Sequence, residues 1–167
     1  MSTPKAAETE SHKQQRWALV SGSSGHLGNV ISEMLAKSGH NLWLIDLPSK
    51  SGQAQAKSMS QEYSVQATFL PCDLELEDER SRVIANIRQA GNPLNVLINN
   101  AAFVGTSELQ GWVVPFLEQS VSTWRRALEV NLTAAFNLTQ GLVHLMQKSN
   151  NAAVVNIGST HGVIAPD

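Results

Sequence analysis

Three glycines in the stretch SGSSGHLG (residues 21–28) have the spacing and surroundings of a phosphate-binding loop. The stretch follows a short apolar run and precedes an amphipathic one, so we expect it to join a strand to the start of a helix. A phosphate group can reach the backbone N–H groups at a helix start only where side chains leave room. We therefore assign Gly22 to a tight turn, Gly25 to close approach by the ligand, and Gly28 to helix–strand contact. An ordinary glycine-rich turn is the alternative interpretation.

An acidic residue follows at the spacing that a dinucleotide site requires. Asp46 ends the apolar run NLWLID (41–46), eighteen residues after Gly28 (46 − 28). A carboxylate there accepts hydrogen bonds from ribose hydroxyls and repels a 2′-phosphate, so this residue favours NAD over NADP. A helix cap or turn residue is the alternative interpretation of Asp46. Lys50, four residues on, weakens the preference for NAD.

Alternating apolar and amphipathic segments predict the fold that positions these residues. Helical periodicity separates five short β-prone runs, at 17–22, 41–46, 65–73, 94–102 and 152–158. The helical segments cover 29–39, 50–63, 75–91 and 122–148, and Ser122 or Thr123 is expected to cap the last of them. Nearly continuous apolar runs are typical of parallel strands buried on both faces. We therefore predict a Rossmann-like doubly wound parallel sheet in a three-layer α/β/α arrangement, with strand order 3-2-1-4-5.

Composition narrows the class of protein further. A hydrophobic fraction of 42%, a charged fraction of 16% and a net charge of −2 predict a globular chain without a nucleic-acid or membrane partner. Its single cysteine, Cys72, cannot form an internal disulfide, and no targeting or membrane-spanning segment is visible, so we predict a cytoplasmic location. Residues 1–14 are expected to be a disordered polar tail and 15–167 a domain that binds NAD(P). No metal site is predicted.

The motifs, taken together, resemble those of the short-chain dehydrogenase/reductase family. In the family's order they are SGSSGHLG, CDL (72–74), INNAA (98–102), EVNL (129–132) and VVNIGS (154–159). The resemblance covers residues 16–167. Two departures stand out: the glycine spacing is GxxGxxG where compact members usually have GxxxGxG, and Ala102 replaces the usual last glycine of NNAG. The GxxGxxG spacing is commoner in the extended branch, which acts on nucleotide sugars.

The resemblance implies a set of site residues. Asp73 would bind the adenine ring and Asn99 would lie against the adenosine ribose. The implied cofactor, NAD in preference to NADP, would contact Gly22, Ser24, Gly25, Leu27, Gly28, Asp46, Asp73, Leu74, Asn99 and Ala101. Asn131 would interrupt the long helix and hold a water for proton relay, with a capping or core amide as the alternative. Ser159, at the tip of a buried strand, would donate a hydrogen bond to the substrate oxygen, with a turn serine as the alternative.

The resemblance also implies hydride transfer between nicotinamide and a carbonyl or alcohol carbon of a small molecule, with sugars and nucleotide sugars among the candidates. The family uses a tyrosine followed four residues later by a lysine, whereas the single tyrosine here, Tyr63, is followed by Ala67. We therefore expect the chain to be the N-terminal part of a longer, homo-oligomeric enzyme, incomplete at its C-terminus, inactive alone and with strand 152–158 as an uncovered edge. The alternatives are a non-catalytic dinucleotide-binding module and a nucleotide-sugar epimerase or dehydratase of the extended branch.

Overall fold

The computed structural model describes residues 15–103 and 109–159, so the predicted tail at 1–14 lies outside the described residues. Its strands are β1 (Arg16–Ser21), β2 (His40–Asp46), β3 (Ala67–Pro71), β4 (Leu94–Asn99) and β5 (Ala153–Asn156). Its α-helices are α1 (His26–Lys37), α2 (Lys50–Tyr63), α3 (Glu77–Ala90), α4 (Val121–Leu128) and α5 (Ala134–Met146). The predicted alternation of strands and helices is therefore confirmed in the described part of the chain.

The sheet has the predicted topology. Its five strands are all parallel and lie in the order β3-β2-β1-β4-β5. The order in which strands are added reverses at β1, since β2 and β3 lie on one side of it and β4 and β5 on the other. Ligands of doubly wound folds bind at such a reversal, beyond the carboxyl ends of the strands. The residues that follow β1, β2 and β4 therefore meet at one edge of the sheet.

Apolar side chains cover the sheet on both faces, as the sequence predicts. Leu19 and Leu97 are fully buried against residues of α3 and α5. Val20 and Leu44 are fully buried on the opposite face, against α1 and α2. This two-sided burial explains why the strand sequences are nearly continuously apolar rather than alternating. The helices form the outer layers of a three-layer α/β/α unit.

The helix predicted over 122–148 begins earlier and is interrupted. Ser120 caps α4, because its Oγ accepts a hydrogen bond from the backbone N–H of Thr123 at 3.3 Å. The predicted caps are wrong: Ser122 pairs with Ser120 through their hydroxyls, and the Thr123 hydroxyl donates to the carbonyl of Gln110. A π-helical turn at Glu129–Thr133 separates α4 from α5, so the interruption expected at Asn131 is present.

Strand β5 is paired but poorly covered. All four of its residues are exposed when the described part of the chain is considered. The expectation of a buried strand is therefore wrong there. Val154 and Val155 are 38% and 40% exposed because only β4 pairs with β5 and only one helix, α5, makes substantial contact with it there. The four residues form one edge of the described sheet, as expected. None of the described helices is both long enough and apolar enough to cross a membrane.

Candidate functional site

The glycine loop between β1 and α1 is shaped by two close backbone contacts. Gly22 has φ +63°, and a Cβ atom there would lie 2.8 Å from the Cα of Ala101. A Cβ atom on Gly28 would lie only 2.0 Å from the carbonyl oxygen of Gly22. Gly25, the N-cap of α1, differs because its Cβ would have only an ordinary contact, 3.5 Å from the same oxygen. The turn and the helix–strand approach therefore require Gly22 and Gly28, whereas the backbone around Gly25 would accommodate a Cβ atom.

Side chains at the ends of β2 and β4, the two strands that flank β1, hold this loop in place. The Asp46 carboxylate, at the end of β2, accepts a hydrogen bond from the backbone N–H of Ser24 at 2.7 Å and another from that of Leu47 at 2.8 Å. After β4, Nδ2 of Asn100 donates to the carbonyl oxygens of Ser21 and Gly22, each at 3.0 Å. Asn100 was not among the predicted site residues, although INNAA contains two asparagines at adjacent positions.

Two adjoining clefts open at this edge of the sheet. One, of about 240 Å³, lies beside the strand ends and is lined by residues that include Asp46, Asp73, Leu74 and Ala101. The other lies over the glycine loop, and the two share Gly22, Asp46 and Ala101. The second cleft also contains Ser24, Gly25, Leu27 and Gly28. The structure therefore brings together all of the predicted cofactor-contacting residues except Asn99.

Asn99 lies elsewhere, in the layer between the sheet and α5. Its side chain is 7% exposed, and its Nδ2 donates to Oδ1 of Asn156 at 2.8 Å. It lines a third cleft, of about 560 Å³, against α5 and lines neither of the two at the glycine loop. Alternation along a strand explains the placement, since Leu97, two residues earlier, packs on the same face. The contact of Asn99 with the adenosine ribose therefore stays a prediction.

The predicted catalytic residues lie at the same end of the sheet, on its β4–β5 side. Asn131 is in the π-helical turn, and its Oδ1 accepts a hydrogen bond from the backbone N–H of Phe103 at 2.6 Å. It lines the third cleft together with Asn99 and Gly158. Ser159 follows Gly158 directly and is exposed. Asn131 thus connects the π-helical turn to the chain after β4. Both lie at the end of the sheet where β5 ends and Ser159 follows.

Charged and polar neighbours form the outer wall of the first cleft. Arg126 of α4 donates from Nε to both carboxylate oxygens of Glu75, at 2.8 and 3.0 Å, and lies 5.3 Å from the centre of the Phe103 ring. Cys72 lines the same cleft, and burial raises the pKa of its thiol to about 11. The thiol is therefore protonated at neutral pH and behaves as a small apolar residue.

The family model described as short chain dehydrogenase matches residues 16–166. A rhamnolipids biosynthesis 3-oxoacyl-[acyl-carrier-protein] reductase from Pseudomonas aeruginosa is 30% identical over 154 residues, which cover 90% of this chain and 57% of the relative. A 3-oxoacyl-[acyl-carrier-protein] reductase from Chlamydia trachomatis is 26% identical over 146 residues, which cover 87% of this chain and 56% of that protein. The chain thus spans just over half the length of these curated relatives.

Solved structures show the same architecture. A short-chain dehydrogenase from Sphingobium yanoikuyae in complex with NADPH matches with a TM-score of 0.76 and 26% identity, over 89% of this chain and 55% of that one. An active-site complex of RhlG with NADP from Pseudomonas aeruginosa matches with a TM-score of 0.76 and 28% identity, over 91% and 57%. The sheet order, the glycine loop and these matches agree, and the chain belongs to the short-chain dehydrogenase/reductase family of oxidoreductases.

Proposed function

We propose that this chain is the cofactor-binding half of an enzyme that transfers hydride between a nicotinamide dinucleotide and a carbonyl or alcohol carbon of a small molecule. The observation that carries the proposal is the glycine loop, which leads into the N-terminus of α1 beside a cleft that contains Asp46. Backbone N–H groups at such a helix start are suited to bind a pyrophosphate. Gly25 carries no side chain and lines the cleft at this helix start, so the residues present fit a pyrophosphate.

The positions of the other residues support one orientation. The adenosine end would occupy the cleft lined by Asp73, Leu74 and Ala101, and the nicotinamide end would extend toward Asn131 and Ser159. When bound, the nicotinamide supplies or accepts the hydride. The Ser159 hydroxyl would donate a hydrogen bond to the substrate oxygen and stabilise the negative charge that develops there. Asn131 would contribute by holding the helix and the chain after β4 in place.

We propose further that NAD is preferred to NADP. The support is the Asp46 carboxylate, whose negative charge lies in both clefts at the glycine loop and would repel a 2′-phosphate. The two solved structures above contain NADPH or NADP, so they give this preference no support. The proposed preference therefore rests on the charge of Asp46 and can be tested there.

Fluorescence titration of the purified chain with NADH and NADPH tests both proposals. We expect tighter binding of NADH, by about tenfold or about 1.4 kcal/mol, and we expect Asp46→Asn to remove most of this difference. The amide carries no charge and keeps an oxygen that can accept from Ser24, but it loses the hydrogen bond from Leu47, which should weaken the binding of both cofactors alike and leave their ratio as the readout. Asp78→Asn, the same chemical change at an exposed residue of α3, should leave the ratio unaltered. Tighter binding of NADPH by the unsubstituted chain would refute the preference, and binding of neither would refute the function.

We also infer that these 167 residues alone do not catalyse turnover. Tyr63 is their single tyrosine, and it lies at the end of α2, with its hydroxyl 2.7 Å from Glu62 and 3.0 Å from Glu33. The hydrogen bond to Glu62 raises the pKa of Tyr63, the opposite of what a general base requires. We expect no oxidation of NADH above the buffer rate with a panel of ketones and aldehydes. An NADH-dependent rate that is lost in Ser159→Ala would contradict this inference.

A further inference from the structure

A side chain on α2 forms hydrogen bonds with both the glycine loop and the first turn of α1. Nε2 of Gln55 donates to the backbone carbonyl oxygen of Ser23 at 2.7 Å and to Oδ1 of Asn29 at 2.9 Å. Ser23 is in the loop, and Asn29 is in the first turn of α1. One carboxamide therefore connects the loop to the helix that it leads into.

Together with Asp46, Gln55 fixes one peptide group of the loop on both sides. In the peptide between Ser23 and Ser24, the carbonyl oxygen accepts from Gln55 at 2.7 Å and the N–H donates to Asp46 at 2.7 Å. Because a trans peptide is planar, with its C=O and N–H pointing in opposite directions, these two hydrogen bonds define the orientation of the whole group. This peptide lies one residue before Gly25, which carries no side chain and lines the cleft at the helix start. The orientation of the N–H groups that follow depends on it.

Gln55 acts on the loop without lining the clefts where a ligand would lie. It faces the groove between α1 and α2, with Asn29, Glu33 and Met59 among its neighbours, and it does not contribute to either cleft at the glycine loop. The carbonyl that it holds belongs to Ser23, which is fully buried. Removing the donor would leave that carbonyl oxygen without its side-chain partner in a place with little access to solvent, and the hydrogen bond from Ser24 to Asp46 alone would then orient the peptide.

We propose that Gln55 is a positioning residue for the phosphate-binding loop: it fixes the Ser23–Ser24 peptide so that the N–H groups at the start of α1 are oriented for the pyrophosphate. Sequence reasoning did not find it because α2 has only weak helical patterning and Gln55 is one of four polar residues within 53–58. The inference rests on the proposed function, since it gives the loop a phosphate to bind.

The test replaces Gln55 with methionine, which has a similar length and helix propensity but no donor. We expect Gln55→Met to weaken NADH binding about tenfold and adenosine binding less than about twofold, because adenosine carries no phosphate. Gln53→Met, at an exposed position of the same helix, should change neither affinity. Unchanged NADH binding in Gln55→Met, or equal weakening for both ligands, would refute the role of Gln55 and leave the proposed function standing. Failure of the unsubstituted chain to bind NADH would refute the proposed function and the phosphate role with it.

A second variant keeps the test valid if Gln55→Met folds poorly. Gln55→Glu preserves the shape of the side chain but supplies no donor while it is ionised. The carbonyl of Ser23 and Oδ1 of Asn29 would favour the protonated carboxyl and raise its pKa, so we expect NADH binding to be weak at pH 8 and to strengthen as the pH falls toward 5, where the carboxyl regains a donor. The unsubstituted chain measured over the same pH range is the reference. A constant ratio between the two dissociation constants across that range would contradict the proposed role of the donor.

Discussion

Replacing Gly28 with alanine is expected to disrupt the start of α1 and to abolish dinucleotide binding. The new Cβ would lie 2.0 Å from the carbonyl oxygen of Gly22 and 2.9 Å from the Cα of Ser23, both backbone atoms that cannot move away independently. Overpacking of this kind forces backbone shifts, and we expect a loss of about 3 kcal/mol in the free energy of unfolding, the upper end of the usual range, because both contacts are with backbone atoms. Urea denaturation followed by circular dichroism measures this loss directly.

Gly25→Ala is the matched control in the same loop. Its Cβ would lie 3.5 Å from the Gly22 carbonyl oxygen, and φ at this position is −70°, which any residue adopts. We therefore expect the free energy of unfolding to change by less than about 1 kcal/mol. Dinucleotide binding should nevertheless weaken, because the methyl group occupies space in the cleft over the loop. Equal destabilisation by the two substitutions would show that the backbone contact at Gly28 does not distinguish them.

Much of the fold could be predicted because the relevant information is local in the sequence. Runs such as WALVS and NLWLID are short and apolar, and the segments between them have helical spacing, so the element order follows from periodicity alone. The parallel topology follows in turn from the alternation of strands and helices. The glycine loop and Asp46 could be found in the same way, since both are positioned at the ends of predicted strands.

The details that the sequence did not predict depend on contacts between distant segments. The end of β4 decides which asparagine of INNAA faces the loop: Asn100, which follows the strand, lines the cleft over the loop, and Asn99, the last residue of the strand, does not. The exposure of β5 could not be read from AVVN, because it depends on what packs beside the strand. Likewise EDERSR, at the start of α3, reads as an exposed polar stretch, yet it contains Arg80, which is 2% exposed.

Arg80→Met is expected to be the most destabilising change of a charged residue in the described structure. The guanidinium donates to the carbonyl of Leu74, to Oε1 of Glu129 at 2.6 Å and to Oδ1 of Asn137 at 3.3 Å. Arg80 is buried whereas Glu129 is 34% exposed, so the carboxylate that remains is partly solvated, and the loss of the buried donor and its packing is expected to cost about 3 kcal/mol. Arg82→Met is the control, because Arg82 is 57% exposed and 3.5 Å from Glu79, and we expect it to cost less than about 1 kcal/mol.

The same substitution tests how the site is held together, because Arg80 connects three segments that meet there. Leu74 lines the first cleft, Glu129 begins the π-helical turn that contains Asn131, and Asn137 is in α5. If the ion pair is the main contribution, Glu129→Gln should cost much less in the Arg80→Met background than in the unsubstituted chain. A double-mutant cycle measured by urea denaturation should then give a coupling of at least about 1 kcal/mol. Additive effects would assign the stabilisation to the carbonyl of Leu74 and to packing instead, since those contacts do not depend on the charge of Glu129.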